Sequence, residues 1–506
     1  MTNHTEIEDK YAVGAEARLP DLGVLPGVAS VAAPMEQHLV ATYFDTPGLR
    51  LTAAHTTLRR RTGGDDAGWH LKLPTAHGRY EVHAPLGRST RTVPRRLREV
   101  LALLLAGAEL SPIARITTRR TAYRLLDEQG RILAEVADDR VETVAWNDED
   151  APVSRSWREW EVELVDGRPS LLRAAAELFA TCAVSPAQSA SKLAQALGDR
   201  VPESPVVCLP RERSAPPEEV VRAWLGEQVA SVRRHDPLVR ADAPDAVHEM
   251  RVATRRLRSA LVTFRPLMRR EVTDALREEL AWIAGLLGAA RDAEVLRGRL
   301  TAMLAAEDAA VVTGSAAARV DRTLRDRYAR AHTRCVQAMT SERYVALLDR
   351  LDALMDQRAW AEDAHERSPA VLVDRVRHDW KRLERRVEAV EGTEGDDRAH
   401  RLHEVRKAAK RVRYAAEPLV PQHGTAAERF VKAATRVQSV LGDHQDSVIA
   451  QQELRRLADE AVADGDDSFT FGVLHAREDD DQAAIEERAW TAWATLSKNK
   501  RVDWLG

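Results

Sequence analysis

The stretch Thr5-Glu-Ile-Glu-Asp-Lys-Tyr-Ala-Val13 decides how the first half of the chain folds. Side chains of a strand alternate between faces, so Glu6, Glu8 and Lys10 share one face and Ile7 takes the other. The pattern returns at 156–165, where Glu159, Glu161 and Glu163 form a second carboxylate row with Trp160 and Val162 between them. Further alternating runs occupy 38–44, 56–61, 69–73, 79–83, 116–126 and 131–144. Turn signals separate most of them: Asp45-Thr-Pro-Gly, Gly63-Gly-Asp-Asp and Asp127-Glu-Gln-Gly. Arg59 shares a face with Arg61, and Arg79 with Glu81. Lys72 and His70 alternate with Trp69, Leu71 and Leu73, and Arg120 lies on a further strand. Residues 93–105 and 170–182 read as helices. About eight short strands with two or three helices predict an α+β domain over 1–200, an eight-stranded antiparallel sheet curling into a barrel.

Residues 201–216 are proline-rich and read as a linker. From 217 to 506 the period becomes helical, with expected breaks at Asp236-Pro, Ala243-Pro, Arg265-Pro, the Gly-rich run at 391–397, Glu417-Pro and Asp464-Gly. This half repeats itself. His248-Glu-Met-Arg-Val-Ala-Thr-Arg-Arg-Leu-Arg returns as His403-Glu-Val-Arg-Lys-Ala-Ala-Lys-Arg-Val-Arg, and Leu287-Gly-Ala-Ala-Arg-Asp returns as Leu441-Gly-Asp-His-Gln-Asp. An all-α, duplicated helical bundle follows, its two related units packing face to face about a pseudo-twofold.

With 506 residues, 30% of them charged and 44% hydrophobic, the chain has the length for two to four cores and no disordered bulk. No apolar run is long enough to span a bilayer, and the acidic first ten residues do not resemble a signal peptide. Three scattered cysteines, Cys182, Cys208 and Cys335, fit neither a zinc site nor a disulfide framework, so a reducing cytoplasm is expected. Only nine of the 75 basic residues are lysines, a bias that suggests a GC-rich bacterial genome. The net charge of −4 argues against a uniformly basic nucleic-acid binder. Residues 1–205 carry 25 basic and 28 acidic side chains and the rest 50 and 51, so any polyanion must meet cations segregated onto particular faces.

Charged strand faces are usually solvated outer surfaces. Here the alternate faces are apolar or aromatic, and charged faces of both signs converging inside a small barrel require water, ions or a charged ligand. Carboxylates suit Mg²⁺ or Mn²⁺, while Arg and Lys suit phosphate, so a metal–polyphosphate complex fits both. Glu6-x-Glu8-x-Lys10 resembles the ExExK signature of CYTH domains, the triphosphate tunnel metalloenzymes. Tyr43-Phe-Asp45-Thr-Pro, Leu58-Arg59-Arg-Arg61, Leu71-Lys72-Leu-Pro, Arg79-Tyr-Glu81, Arg120-Thr-Ala-Tyr and Glu161-Val-Glu163-Leu match in order. The resemblance implies a closed eight-stranded tunnel. In it Glu6, Glu8, Glu161 and Glu163 serve as metal ligands, and Lys10, Arg59, Arg61, Lys72, Arg79, Arg120 and Lys192 grip phosphate. Glu6, Glu8 and Lys10 form the catalytic set. The register of Glu159, Glu161 and Glu163 leaves open which two form the family pair. Thr118 departs from the pattern where the family often has a basic residue. Either Arg115 or Arg119 substitutes for it, or one phosphate contact is missing.

On a helical wheel Arg251, Arg255 and Arg258 fall within roughly 80° beside His248, opposite Met250, Ala253, Leu257, Ala260 and Leu261. The second copy places His403, Arg406, Lys410 and Arg413 in the same arc, opposite Val405, Ala408 and Val412. Like charges at this spacing weaken a helix, so an anionic partner is the simpler explanation than a solvated basic face. This half resembles a CHAD domain, with Arg256, Lys407 and Arg411 completing the motif residues. The resemblance implies a basic surface that binds inorganic polyphosphate. Together the halves imply an inorganic triphosphatase, with polyphosphate ends as a further substrate, in the cytoplasm and associated with polyphosphate granules. No membrane and no specific nucleic acid is expected as a partner. A nucleotide cyclase or organic triphosphatase, and a non-catalytic polyphosphate-binding protein, are the alternatives.

Overall fold

The computed structural model describes residues 3–506 except 77, 88, 147–150, 183, 188, 190 and 204–207; the side chains of 3–6 and 396 are also outside it. Part of the expected linker, 204–207, therefore lies outside the described residues. The chain forms two compact units, Met1–Pro205 with Asp236–Ala243, and Val206–His235 with Pro244–Gly506.

The strand unit is one antiparallel sheet. Its strands are β1 (Asn3–Glu6), β2 (Glu8–Val13), β3 (Ser30–Val31), β4 (Met35–Asp45), β5 (Thr57–Thr62), β6 (Gly68–Thr75), β7 (Gly78–Ala84), β8 (Ser111–Leu126), β9 (Ile132–Ala145), β10 (Val153–Leu164) and β11 (Ser185–Pro186). The run read as one strand from residue 5 to 13 is interrupted at Ile7, whose carbonyl accepts the Leu164 amide at 3.0 Å. β1 pairs with β7 and β2 with β10, so both ends of the ladder meet on one stretch of chain and the sheet closes. β3 and β11 have two residues each, too short for any alternation to reveal them.

Among the described residues five α-helices decorate the barrel: α1 (Arg50–Ala53), α2 (Arg95–Val100), α3 (Ala102–Leu105), α4 (Pro169–Ala180) and α5 (Lys192–Leu197). α4 covers the outer face. Its Phe179 packs on Tyr11, with ring centroids 4.9 Å apart, and on Trp160 at 5.2 Å. Leu193, Ala196 and Leu197 of α5 join Tyr43, Ile116, Val141 and Ala145 in a separate apolar cluster. The connection from β4 into α1 turns about buried Asp45. Its carboxylate accepts the amides of Thr46 at 2.7 Å and of Leu51 and Thr52 at 2.9 Å, and the Thr52 hydroxyl at 2.7 Å.

The rest of the chain is helical, from α6 (Pro217–Arg240), whose residues from Asp236 on belong to the first unit, α7 (Ala246–Thr263), α8 (Arg270–Ala306), α9 (Ala316–Met339) and α10 (Glu342–Ala353) to α11 (Ala370–Glu388), α12 (Gly395–Ala416), α13 (Val420–His423), α14 (Thr425–Ala463), α15 (Phe469–Leu496) and α16 (Asn499–Val502). The break expected at Asp236-Pro is absent, because α6 runs through Pro237 to Arg240. Pro237 costs an amide only in the last turn. There the Ala241 amide still reaches the Pro237 carbonyl at 3.0 Å, and Asp236 holds Arg240 at 2.6 Å. Each copy of the sequence repeat occupies a motif helix followed by a long one: α7 packs on α8, and α12 on α14. Leu296 and Leu300 of α8, Val320 and Leu324 of α9, Leu454 and Leu457 of α14, and Phe471 and Leu474 of α15 share one core. No helix among the described residues is long and apolar enough to cross a membrane.

Asp45→Ala should lower stability by about 2–4 kcal/mol, since it strands buried amides and a hydroxyl without an acceptor. Calorimetry checks this, and an unchanged Tm would show that water replaces the carboxylate.

Candidate functional site

Strand alternation turns Glu8 and Lys10 inward while Tyr11 packs under α4, and turns Glu159, Glu161 and Glu163 inward while Trp160 and Val162 join the outer core. Register then stacks Glu163 opposite Glu8, Glu161 opposite Lys10, and Asp139 opposite both Arg120 and Glu159. A cavity of about 300 Å³ results. Glu8, Lys10, Arg59, Arg61, Lys72, Arg79, Arg120, Glu161, Glu163 and Lys192 all line it. Glu6 is placed only by its backbone, opposite Arg79 on β7; its side chain lies outside the described residues.

Glu161 is the hub. Lys10 and Arg120 ion-pair with it, and Lys192 approaches to 2.7 Å. Lys192 also lies 2.6 Å from Glu159 and 2.9 Å from Asp139, and Arg120 grips Asp139 at 2.7 and 2.8 Å. Burial works against the Glu161 charge, but Lys10, Lys192 and Arg120 outweigh it and hold the carboxyl well below the usual carboxylate range. Burial likewise opposes the Lys10 and Lys192 charges, and the surrounding carboxylates raise both. Burial pushes Glu163 up, with Glu8 and Glu161 adding to the effect. Burial and the neighbouring Arg59 and Arg120 push Arg61 down to about 9.

Oxygens of Asp139, Glu159 and Glu161 lie within 4.8 Å of one another, a hard-oxygen set of the kind that holds a divalent cation. Asp139 escaped sequence reasoning. Its face of β9 also carries Ala137 and Val141, so no charged row marks it, yet it is fully buried. Glu81 is also in the cavity wall, 3.6 Å from Lys72. Thr118 lines the cavity, whereas Arg115 and Arg119, on the alternate face of β8, are exposed and line none of it. Neither replaces the family's basic residue.

In the helical unit the structure sorts the eleven motif residues. Arg251 and Arg255 of α7 converge with Arg406 and Lys410 of α12. Burial, then Arg255, Arg406 and Arg251, push Lys410 down to about 6, and burial also lowers Arg255 and Arg406. Small residues make room for the guanidinium groups. A Cβ at Gly288 would lie 3.6 Å from Arg251 Nε, and one at Gly442 would lie 3.0 Å from Arg406 Nη2, the same relation in both copies. Asp292 stands 3.3 Å from Arg251. Burial lowers His248, beside Arg291, and His403, beside Lys407 and Arg406. Burial also lowers Arg258, with Arg277 of α8 next to it. The others are engaged elsewhere: Arg256 with Glu417 at 2.8 Å, Arg411 with buried Asp379 at 2.7 Å, Lys407 with Glu404 at 2.8 Å and Arg413 with Glu417 at 3.3 Å.

A family model of the CYTH domain matches residues 4–196, and one of the CHAD domain matches residues 223–455. The chain belongs to both families, fused. A protein of Mycobacterium tuberculosis with no assigned activity is 37% identical over 512 residues, covering 98% of this chain and 97% of that one. Human thiamine-triphosphatase is 33% identical over 135 residues, 24% of this chain and 54% of that protein. The crystal structure of a CHAD domain from Ricinus communis is 27% identical, covers 59% of this chain and 96% of that one, and has a TM-score of 0.45. The strand unit is thus a member of the triphosphate-tunnel enzymes, a metal-dependent family.

Lys410 supplies a test of the basic face. Folding lowers its pKa from the ordinary lysine value to about 6, so between those values the unfolded chain binds the extra proton. Stability therefore falls as pH drops through that window, and the penalty due to Lys410 reaches its full size below the folded pKa. Lys410→Met should raise the Tm of the ligand-free protein, more so as pH is lowered from about 9 to about 6. A lower Tm in the variant at every pH would assign Lys410 a structural role.

Proposed function

We propose that the strand unit hydrolyses inorganic triphosphate, or the ends of inorganic polyphosphate, with Mg²⁺ or Mn²⁺, and that the α7–α12 face binds polyphosphate. The observation that carries this is one cavity whose walls bear a group of arginines and lysines beside carboxylates suited to a hard metal ion. Arg59, Arg61, Lys72, Arg79 and Arg120 bind and orient phosphate oxygens, drawing on the strength of charge-assisted hydrogen bonds. Lys10, kept protonated by Glu161, adds an ammonium at the same wall. The metal fits Glu8 and Glu163, paired across β2 and β10, with Glu161 and Glu159 deeper along the same row. Burial, with Glu8 and Glu161 adding to it, already raises Glu163, and a cation there offsets the effect. When bound, the ion would supply charge neutralisation and water activation.

A second reading, an organic triphosphatase, draws on a larger cavity of about 820 Å³ that shares Arg79 and Glu159 with this site and adds Trp157, Leu193 and His55. Rates of phosphate release from triphosphate, ATP and thiamine triphosphate rank the two.

Glu8→Gln should reduce kcat/KM for triphosphate by about 100-fold or more while leaving the Tm level, and EDTA should abolish turnover of the unaltered protein. Unchanged turnover in either experiment sinks the hydrolase assignment. Joint neutralisation of Arg251, Arg255, Arg406 and Lys410 should remove binding of long-chain polyphosphate that is steeply salt-dependent in the unaltered protein, and leave triphosphate hydrolysis intact. Binding that survives the fourfold substitution places the polyanion elsewhere.

A further inference from the structure

No residue of the β5–β6 turn, Gly63-Gly-Asp-Asp-Ala67, has a role in the chemistry proposed above, yet the turn is built tightly. Gly63 has φ +81°, and a Cβ there would lie 2.0 Å from the His38 carbonyl oxygen. At Gly64 a Cβ would lie 2.9 Å from the Leu39 side chain. The turn is therefore pressed against β4 with no space for side chains at its first two positions. Its next two residues, Asp65 and Asp66, both line the cavity. Asp66 ion-pairs with Arg61. The Asp66 carbonyl oxygen is 2.9 Å from Nε2 of buried His70, whose Nδ1 meets Glu81. Three anchors thus hold the turn: β4, Arg61 and His70.

Antiparallel pairing puts this turn at the same end of the barrel as the β8–β9 connection and the end of β10. Glu135 and Glu163 line the cavity from those strands, with Arg124 3.4 Å from Glu135. At this end the cavity wall carries Asp65, Asp66 and Glu135, with the Arg124 guanidinium beside Glu135.

We infer that the Asp65–Asp66 turn discriminates chain length: it admits a short polyphosphate at Arg59 and Arg61 and repels a chain that runs on past Arg61. A terminal phosphate exchanges with Asp66 at Arg61, one anion for another. Each further phosphate adds negative charge facing Asp65, Asp66 and Glu135. This rests on the triphosphate reading of the same cavity.

The test compares the full-length protein with Asp65→Asn/Asp66→Asn, using tripolyphosphate and long-chain polyphosphate with Mg²⁺. Two readouts are taken: phosphate release, and hydrogen exchange of residues 57–72, which reports occupancy of the cavity separately from binding on the helical unit. In the unaltered protein tripolyphosphate should slow exchange at 57–72 more than the long chain does at equal concentration of chain ends. In the variant the long chain should become as protective. The ratio of kcat/KM for long chain over tripolyphosphate should rise roughly tenfold. Asp65→Asn alone, which leaves the Arg61 pair in place, should shift both readouts in the same direction and guards against misfolding of the double variant. An unchanged ratio with unchanged exchange overturns the inference while the hydrolase assignment stands. Absence of phosphate release with the exchange difference intact overturns the hydrolase assignment while the discrimination stands.

Discussion

The Glu161 carboxylate, enclosed in the barrel, meets Lys10 from β2, Arg120 from β8 and Lys192 from α5. An isolated charge at this depth would be lost to desolvation, and so would each of its partners. Held together they stay ionised, and they tie β8, which is no ladder neighbour of β10 or β2, and α5 to those two strands. The same requirement spreads outward: Asp139 is tolerable because Arg120 and Lys192 face it, and Glu159 because Lys192 does. The ladder that turns at Ile7 makes this possible: β2 pairs with β10 while β1 pairs with β7, so the sheet closes with these charged faces turned into the cavity.

The helical unit deals with charge differently. In the barrel opposite signs interleave. On the α7–α12 face Arg251, Arg255, Arg406 and Lys410 crowd together, and Lys410 gives up much of its basicity to burial and then to these neighbours. Asp292 and Asp446 temper the crowding without removing it: burial raises Asp446 itself, and Arg406 still falls below its ordinary value. A surface of this kind stores electrostatic repulsion that an arriving anion releases. The barrel, with its charges already paired, must instead exchange partners when a ligand enters.

The division between the two units was legible because each has a distinct period in the sequence. The carboxylate rows at Glu6/Glu8 and Glu159/Glu161/Glu163 announced themselves by alternation with Trp160, Val162 and Ile7. Asp139 did not, because Ala137 and Val141 share its face. The duplicated His/Arg motif identified the paired helices. It did not separate Arg251 and Arg255, which meet the second copy, from Arg256, which turns to Glu417, since adjacent residues on a helix differ by about 100° and a stripe blurs that difference. The continuation of α6 through Pro237 shows the same limit, as a buried Asp236–Arg240 pair overrides the local breaker.

By itself the sequence determined which residues alternate, which recur, and therefore that an antiparallel sheet precedes a duplicated set of helices. Alternation is a property of side chains a few positions apart, where covalent geometry dictates what shares a face, and recurrence is read directly by comparing two stretches of the chain. Only the tertiary structure decided which charges meet: Lys192 with Glu161 from 31 residues away, Lys10 with Glu161 from 151, and Arg251 near Arg406 across the repeat. Coulomb interaction depends on separation and burial in space, and neither is written in the local order of residues.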